Sequence, residues 1–144
     1  MNLEICGFSK TDYTQIINLW KSTDLPAKFL GRDSEKNLSE SSQKENCQIY
    51  VAKIDGKVVG TIIATDDSRK GWINRLAVDP YYRNFGIASK LIAIAESYLK
   101  KKGIKVIAVL IDGNNRKSLN LFGKSGYSEY KNIKYYTKRE SNLN

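Results

Sequence analysis

The chain has 144 residues, enough for one hydrophobic core, and its 41% apolar and 27% charged content excludes a disordered chain. It contains no histidine, which excludes a Ser-His-Asp or Cys-His catalytic device and a His-ligated metal site. Twenty-four Lys+Arg stand against fifteen Asp+Glu, and the resulting +9 charge draws anionic partners while equally describing lysine-covered solvated faces.

The opening "MNLEICGFSK" lacks the basic and long apolar regions of a signal peptide. "LEICGF" (3–8) predicts a first strand, and "SKTDYTQIINLWKST" (9–23) predicts a helix. Ser9 and Asp12 have the spacing of a capping-box variant, and Tyr13, Ile16, Ile17 and Trp20 form one apolar face. Residues 24–32 are an irregular link. "DSEKNLSESSQKE" (33–45) is a short polar helix whose buried anchor is Leu38. Cys6 and Cys47 have no CxxC spacing, so they argue for a reducing compartment and against a zinc site or disulfide framework.

"CQIYVAKI" (47–54), the Asp55-Gly56 turn and "KVVGTIIAT" (57–65) predict a hairpin. A second turn and "WINRLAV" (72–78) extend it to an antiparallel meander. From Ile87 the apolar period becomes helical, and Lys100, Lys101, Lys102 and Gly103 close that helix. "IKVIAVLI" (104–111) reads as a buried central strand. A helix over 115–126 and a hairpin-like pair of strands over 127–139 follow, then a polar tail from 139 to 144. No apolar run approaches the ~18 residues of a membrane span. The order β-α-α-β-β-β-α-β-α-β predicts one α/β (α+β) domain over 1–144, a mixed, mostly antiparallel sheet flanked by helices. The expected setting is cytoplasmic.

Between the third strand of the meander and the long helix lies "LAVDPYYRNFGIA" (76–88). A helix start leaves backbone N–H groups without intrahelical partners, and a glycine beside them permits close approach of a phosphate. Arg83, Asn84, Phe85, Gly86, Ile87 and Ala88 thus form a candidate pyrophosphate cradle, with Ser89 in the first helical turn. As an ordinary helix start with a turn glycine the same residues need no ligand.

"INRLAVDPYYRNFGIASKLI" (73–92) resembles the strand, V-x-P turn and [RQ]-x-x-G-x-[GA] loop of the GNAT superfamily of acyl-CoA N-acyltransferases. "NNRKSLNLFGKSGY" (114–127) resembles that family's N-x-x-[AS]-x-x-[LF]-[YF]-x-K-x-G-[FY] segment. The resemblance implies transfer of an acetyl group from acetyl-CoA to an amine. It implies that the main chain of Leu76, Ala77 and Val78 meets the pantetheine arm, that residues 83–89 hold the pyrophosphate, and that Asn115 bonds the arm. Lys124 would then lie near the adenosine phosphates, or be a solvated lysine.

Two departures bear on catalysis. Where many members carry a tyrosine acid this chain has Phe122, and where several carry a strand glutamate it has Trp72-Ile73-Asn74. Water is the mildest substitute for both, and Tyr127, Asp67 and Asp112 are further candidates, besides Tyr130, Tyr135 and Tyr136 as packing aromatics. The link 24–46 and strands near the C-terminus would shape the acceptor pocket, with Phe29, Arg32, Trp72 and Tyr135 as its candidate lining. The partners expected are a small-molecule or peptide amine and a second copy of the chain, with no metal, membrane or nucleic acid. An acyl-CoA-binding module with little catalysis is the alternative that Phe122 motivates. A nucleic-acid binder, drawn from the basic and aromatic stretch 131–139, is the third reading.

Overall fold

The computed structural model describes residues 2–23 and 25–144. Five strands, β1 (Leu3–Gly7), β2 (Cys47–Ile54), β3 (Lys57–Asp66), β4 (Gly71–Val78) and β5 (Ile107–Val109), form one sheet in the order β1-β2-β3-β4-β5. All neighbours run antiparallel except β4 and β5, which are parallel. Helices α1 (Tyr13–Ser22) and α2 (Glu35–Ser42) cover one face, and α3 (Ile87–Lys101) and α4 (Arg116–Lys124) the other. This is the mixed, mostly antiparallel sheet with flanking helices that the sequence predicts. Among the described residues no helix is long and apolar enough to cross a membrane.

The local signals explain most of these boundaries. Asp12 accepts the Ser9 N–H at 3.0 Å and pairs with Lys53 at 2.9 Å, which ties the start of α1 to β2. The buried face of α1 is Ile16, Leu19 and Trp20, with Tyr13 and Ile17 at its margin. Ser34 caps α2 by accepting the Asn37 N–H at 3.2 Å, and Leu38 anchors that helix in the core as expected. Asp55 and Gly56 both have positive φ, +49° and +80°, which the two-residue hairpin between β2 and β3 requires.

The C-terminal third departs from the expectation. The predicted central strand 104–111 contracts to Ile107–Val109 and lies at the sheet edge. Ile104 enters the core, but Val106 and Leu110 are 55% and 52% exposed, because the run has a strand on one side only. The expected pair of strands over 127–139 does not form. A strand gains its stability from a ladder, and the one backbone–backbone bond within 128–139, among the described residues, is a long Ile133 N–H to Tyr130 carbonyl contact at 3.4 Å.

Each sheet face has its own core. Ile62, Ala64, Ile73, Leu91, Leu99 and Phe122 pack together under α3 and α4; Ile16, Trp20, Ile49, Val51 and Ile63 pack under α1 and α2. A bulge in β4 changes which residues go where. Thr61 pairs with Ala77 and Ile63 with Asn74, so β4 carries one residue more than β3 between these pairs. Before the bulge Ile73 faces α3; after it Leu76 and Val78 face α3, and Ala77 faces α1.

Candidate active site

The site begins where β4 runs out of neighbours. β5 pairs only with Gly71, Trp72 and Ile73, so from Asn74 onward that edge of β4 has no strand beside it. The Asp79 N–H donates to the Val59 carbonyl on β3 at 2.8 Å. By strand alternation the N–H and carbonyl of Val78, and those of Leu76, point toward the open edge. Arg83 Nε reaches the Val78 carbonyl from that side at 3.4 Å.

The chain then turns sharply into α3. Asp79 accepts the Tyr81 N–H at 2.9 Å, Pro80 occupies the first position of a 3-10 turn (Pro80–Tyr82), and Arg83 is extended. Asn84 and Gly86 adopt left-handed backbone, φ +67° and +77°. The Lys90 N–H donates to the Gly86 carbonyl at 3.1 Å, and no side chain caps α3. Its first amides therefore point into solvent beside the open strand edge. A Cβ on Gly86 would meet no atom within 4 Å, so the glycine answers a backbone requirement and leaves free space above the loop. Phe85 is exposed, Ile87 is buried, Ala88 is half-buried and Ser89 is exposed. The structure thus brings Leu76, Ala77, Val78 and residues 83–89 into one continuous strip, with Ala77 supplying core packing through its side chain.

Asn115 is the N-cap of α4. Its Oδ1 accepts the Ser118 N–H at 3.1 Å, which leaves its amide NH2 available on an exposed residue. Lys124 is exposed in the last turn of α4. Phe122 is 3% exposed and packs edge-to-face on Tyr127 with ring centres 5.1 Å apart.

The candidate acids and bases are already engaged. Tyr127 donates to Glu96 Oε2 at 2.8 Å, and burial followed by that bond pushes the phenol above its ordinary range. Glu96 lies about 14 Å along the axis from the start of α3, so the hydroxyl is held far from the loop. Asp67 accepts the Arg69 and Lys70 amides at 2.9 and 2.8 Å, and the Lys70 and then the Arg69 N–H hold its carboxyl below the usual range. Asp112 accepts the Asn114 N–H at 2.8 Å. Both aspartates are turn formers. Asn74 is exposed on β4 and supplies no charge.

The four candidate acceptor residues do not converge. Phe29, beneath the Lys21 ammonium, and Arg32 sit on the loop after α1. Trp72 lies at the opposite end of β4 from Val78, roughly 20 Å away, under the Lys70 ammonium. Tyr135 is 68% exposed on the C-terminal segment. Two shallow depressions, one along α3 at Ala93, Ser97 and Lys101 and one between Phe8 and α2, also lie off the strip.

The residues that sequence reasoning missed are Asp33 and Arg75. Arg75 sits in the β4 bulge with φ +54°, and its Nη2 donates to Asp33 Oδ2 at 2.8 Å. The same carboxylate accepts the Lys28 N–H at 2.7 Å, and the Asp33 carbonyl accepts the Tyr13 hydroxyl at 2.8 Å. The Arg75 carbonyl accepts the Thr61 hydroxyl at 2.8 Å, and Thr61 accepts the Trp20 indole N–H at 2.9 Å. The guanidinium stacks over Trp20 at 5.6 Å. This buried network fixes the loop after α1 to the bulge directly ahead of Leu76-Ala77-Val78. An arginine inside "INRLAV" was the one visible signal; Asp33, in a polar stretch, gave none.

A family model described as the acetyltransferase (GNAT) family matches residues 13–127, so the class is that of acetyl-transferring enzymes. The chain belongs to the GNAT family, as the two sequence blocks implied. Acetyltransferase SG1711 of Sodalis glossinidius (strain morsitans) is 29% identical over 137 residues, covering 95% of each chain. The fold is shared with AAC(6′)-Iy bound to the bisubstrate analogue CoA-S-monomethyl-acetylneamine, at 22% identity and TM-score 0.77 over 96% of this chain and 99% of that one. It is also shared with the PaiA N-acetyltransferase of Thermoplasma acidophilum in complex with coenzyme A, at 21% identity and TM-score 0.79 over 87% and 89%.

Proposed function

We propose that this acetyltransferase moves the acetyl group of acetyl-CoA to a primary amine by direct attack through a tetrahedral intermediate. The observation that carries the reading is the meeting of an open strand edge with an uncapped helix start. A thioester arm of pantetheine length needs amide partners along an extended path, and its diphosphate needs a concentrated positive end. Leu76 and Val78 offer the first. The amides around Gly86 and the Arg83 guanidinium offer the second. CoA-bound solved relatives share this fold.

The Val78 N–H is the group aimed to stabilise the developing oxyanion, since it donates to nothing on β3. An alkyl amine has a pKa near ~10.4 and must lose its proton before attack. With Asn74 on β4 and Phe122 in the core, water accepts that proton and another water protonates the thiolate. General acid catalysis is worth ~10²–10⁴-fold, so turnover survives without it. The acceptor approaches over the loop after α1, past Phe29 and Arg32. Two free cysteines, Cys6 and the buried Cys47, fit a reducing cytoplasmic setting.

The test is release of free thiol from acetyl-CoA with a panel of polyamines, aminoglycosides and peptides, run beside calorimetry with CoA. Amine-dependent release supports the reading. Saturable CoA binding without release from any amine would instead support an acyl-CoA-binding module. No binding of CoA would remove the coenzyme site and the reading together.

A further inference from the structure

The loop after α1 stands beside the part of β4 that would hold the thioester, because Arg75, next to Leu76, bonds Asp33. The charge on that side is of one sign. Among the described residues, α1, the loop 25–34 and β4 hold one carboxylate, Asp33. It is 5% exposed and already bonded by Arg75 at 2.8 Å and by the Lys28 N–H at 2.7 Å. The cations of the same elements are Lys21, Lys28, Arg32 and Arg75. Arg32 lies 4.0 Å from Asp33, at the limit of an ion pair, and 54% of its side chain faces solvent. Lys28 Nζ donates to the Asn142 carbonyl at 3.1 Å, a bond that brings no counter-charge. Glu35, at the start of α2, turns to Lys10 at 3.9 Å. The C-terminal tail adds to the imbalance. A Cβ on Gly31 would run into the Leu143 carbonyl oxygen and come within 3.2 Å of Asn144 Cα, so this glycine is what admits the tail against the loop. Arg139 Nη1 donates to a main-chain oxygen of Asn144 at 2.8 Å, which sets its guanidinium near Gly31 and Arg32. Glu140 is the carboxylate that the tail itself brings.

We propose that the acceptor is a primary amine that carries its own anionic group, a carboxylate or a phosphate, received by Arg32 with Lys28 and Arg139 around it. The proposal rests on the acyl-transfer reading and names the substrate class for it. A guanidinium meets either anion with two parallel N–H donors, a geometry that a lysine does not match. A polyamine or an aminoglycoside brings several positive charges to the same loop. It meets like charge there, and the one carboxylate of the loop is buried and already bonded. Repulsion of the wrong partner then sorts acceptors as much as attraction of the right one.

Steady-state thiol release at saturating acetyl-CoA tests it, with glutamate, phosphoethanolamine and an acidic dipeptide set against spermidine and an aminoglycoside. The anionic amines should lead in kcat/KM by roughly tenfold or more, the worth of one charge-assisted hydrogen bond. Glutamate against phosphoethanolamine separates carboxylate from phosphate. The KM of the preferred amine should rise with salt. Arg32→Ala should raise that KM roughly tenfold, with kcat and the KM for acetyl-CoA unchanged. Arg32→Lys should restore part of the loss, and Arg32→Glu should turn the preference toward spermidine. Arg139→Glu, on the exposed tail, should move the preference the same way. Spermidine or the aminoglycoside in first place would overturn the proposal and leave the acyl-transfer reading standing. So would a preference that neither charge reversal moves. Thiol release with no amine at all would end both.

Discussion

Phe122 occupies a place that is chemically silent and mechanically busy. It is 3% exposed and wedged against Tyr127, so a hydroxyl added there enters an apolar site. Phe122→Tyr is expected to cost about 1–2 kcal/mol of stability and to leave kcat for thiol release within about threefold. A tenfold rise in kcat would show that a proton donor had been missing. The Asp33–Arg75 pair is the opposite case, buried charge with partners on every side. Removing one partner strands the other, so Asp33→Asn and Arg75→Met should each lose about 3–5 kcal/mol. Their double mutant should lose much less than the sum. Denaturant melts of the four proteins measure the coupling, and additive losses would mean that the two side chains act separately. Limited proteolysis should find the loop 25–34 newly cleavable in either single variant.

Among the elements, α3 carries the proposed coenzyme strip at its first turn and a stability tie at its C-cap. Gly86 holds φ +77°, where a side chain costs about 1–2 kcal/mol. Gly86→Ala should therefore weaken CoA binding about tenfold by calorimetry, while a neutral effect would detach the loop from the coenzyme. At the far end Lys102 bonds the buried carboxylate of Asp66 and the Glu45 carbonyl, joining α3 to the end of β3. The Lys102 hydrogen bond holds the Asp66 carboxyl below its ordinary value, and the same bond raises the Lys102 ammonium. A lowered carboxyl contributes stability above its unfolded value, near ~3.9, and loses it as pH falls through the folded one. A raised ammonium contributes below its unfolded value, near ~10.4, and loses it as pH climbs through the folded one. Stability should thus stay level across neutral pH and fall at both extremes. Asp66→Asn should flatten the acid limb and lower the neutral plateau by about 2 kcal/mol; an unchanged acid limb would place the pH dependence elsewhere.

For the molecule as a whole, the +9 charge predicts that the association rate of anionic CoA falls as ionic strength rises, measurable by stopped flow. A rate indifferent to salt would leave the charge without a steering role. Most of the architecture was legible because it rests on local periods and turns. The Asp55-Gly56 hairpin, the Leu38 anchor and the switch to helical spacing at Ile87 each identify themselves within a few residues. The adjacency of an open strand edge, a turn and an uncapped helix start was legible for the same reason, because the three follow one another in sequence. The edge position of β5 and the solvation of 128–139 were not, because an apolar or alternating run does not reveal how many neighbours it finds. Nor was the Asp33–Arg75 pair, whose members stand 42 positions apart. The bulge at Arg75 was equally hidden, and it makes β4 unusually sensitive to length. A substitution at Arg75 removes one guanidinium; loss of a single codon there would invert the parity of the last three residues. Ala77 would then turn toward α3 while Leu76 and Val78 turned away from it, exchanging the strand's two sides just ahead of the loop. Insertions and deletions in these few positions should be tolerated far less well than any one replacement.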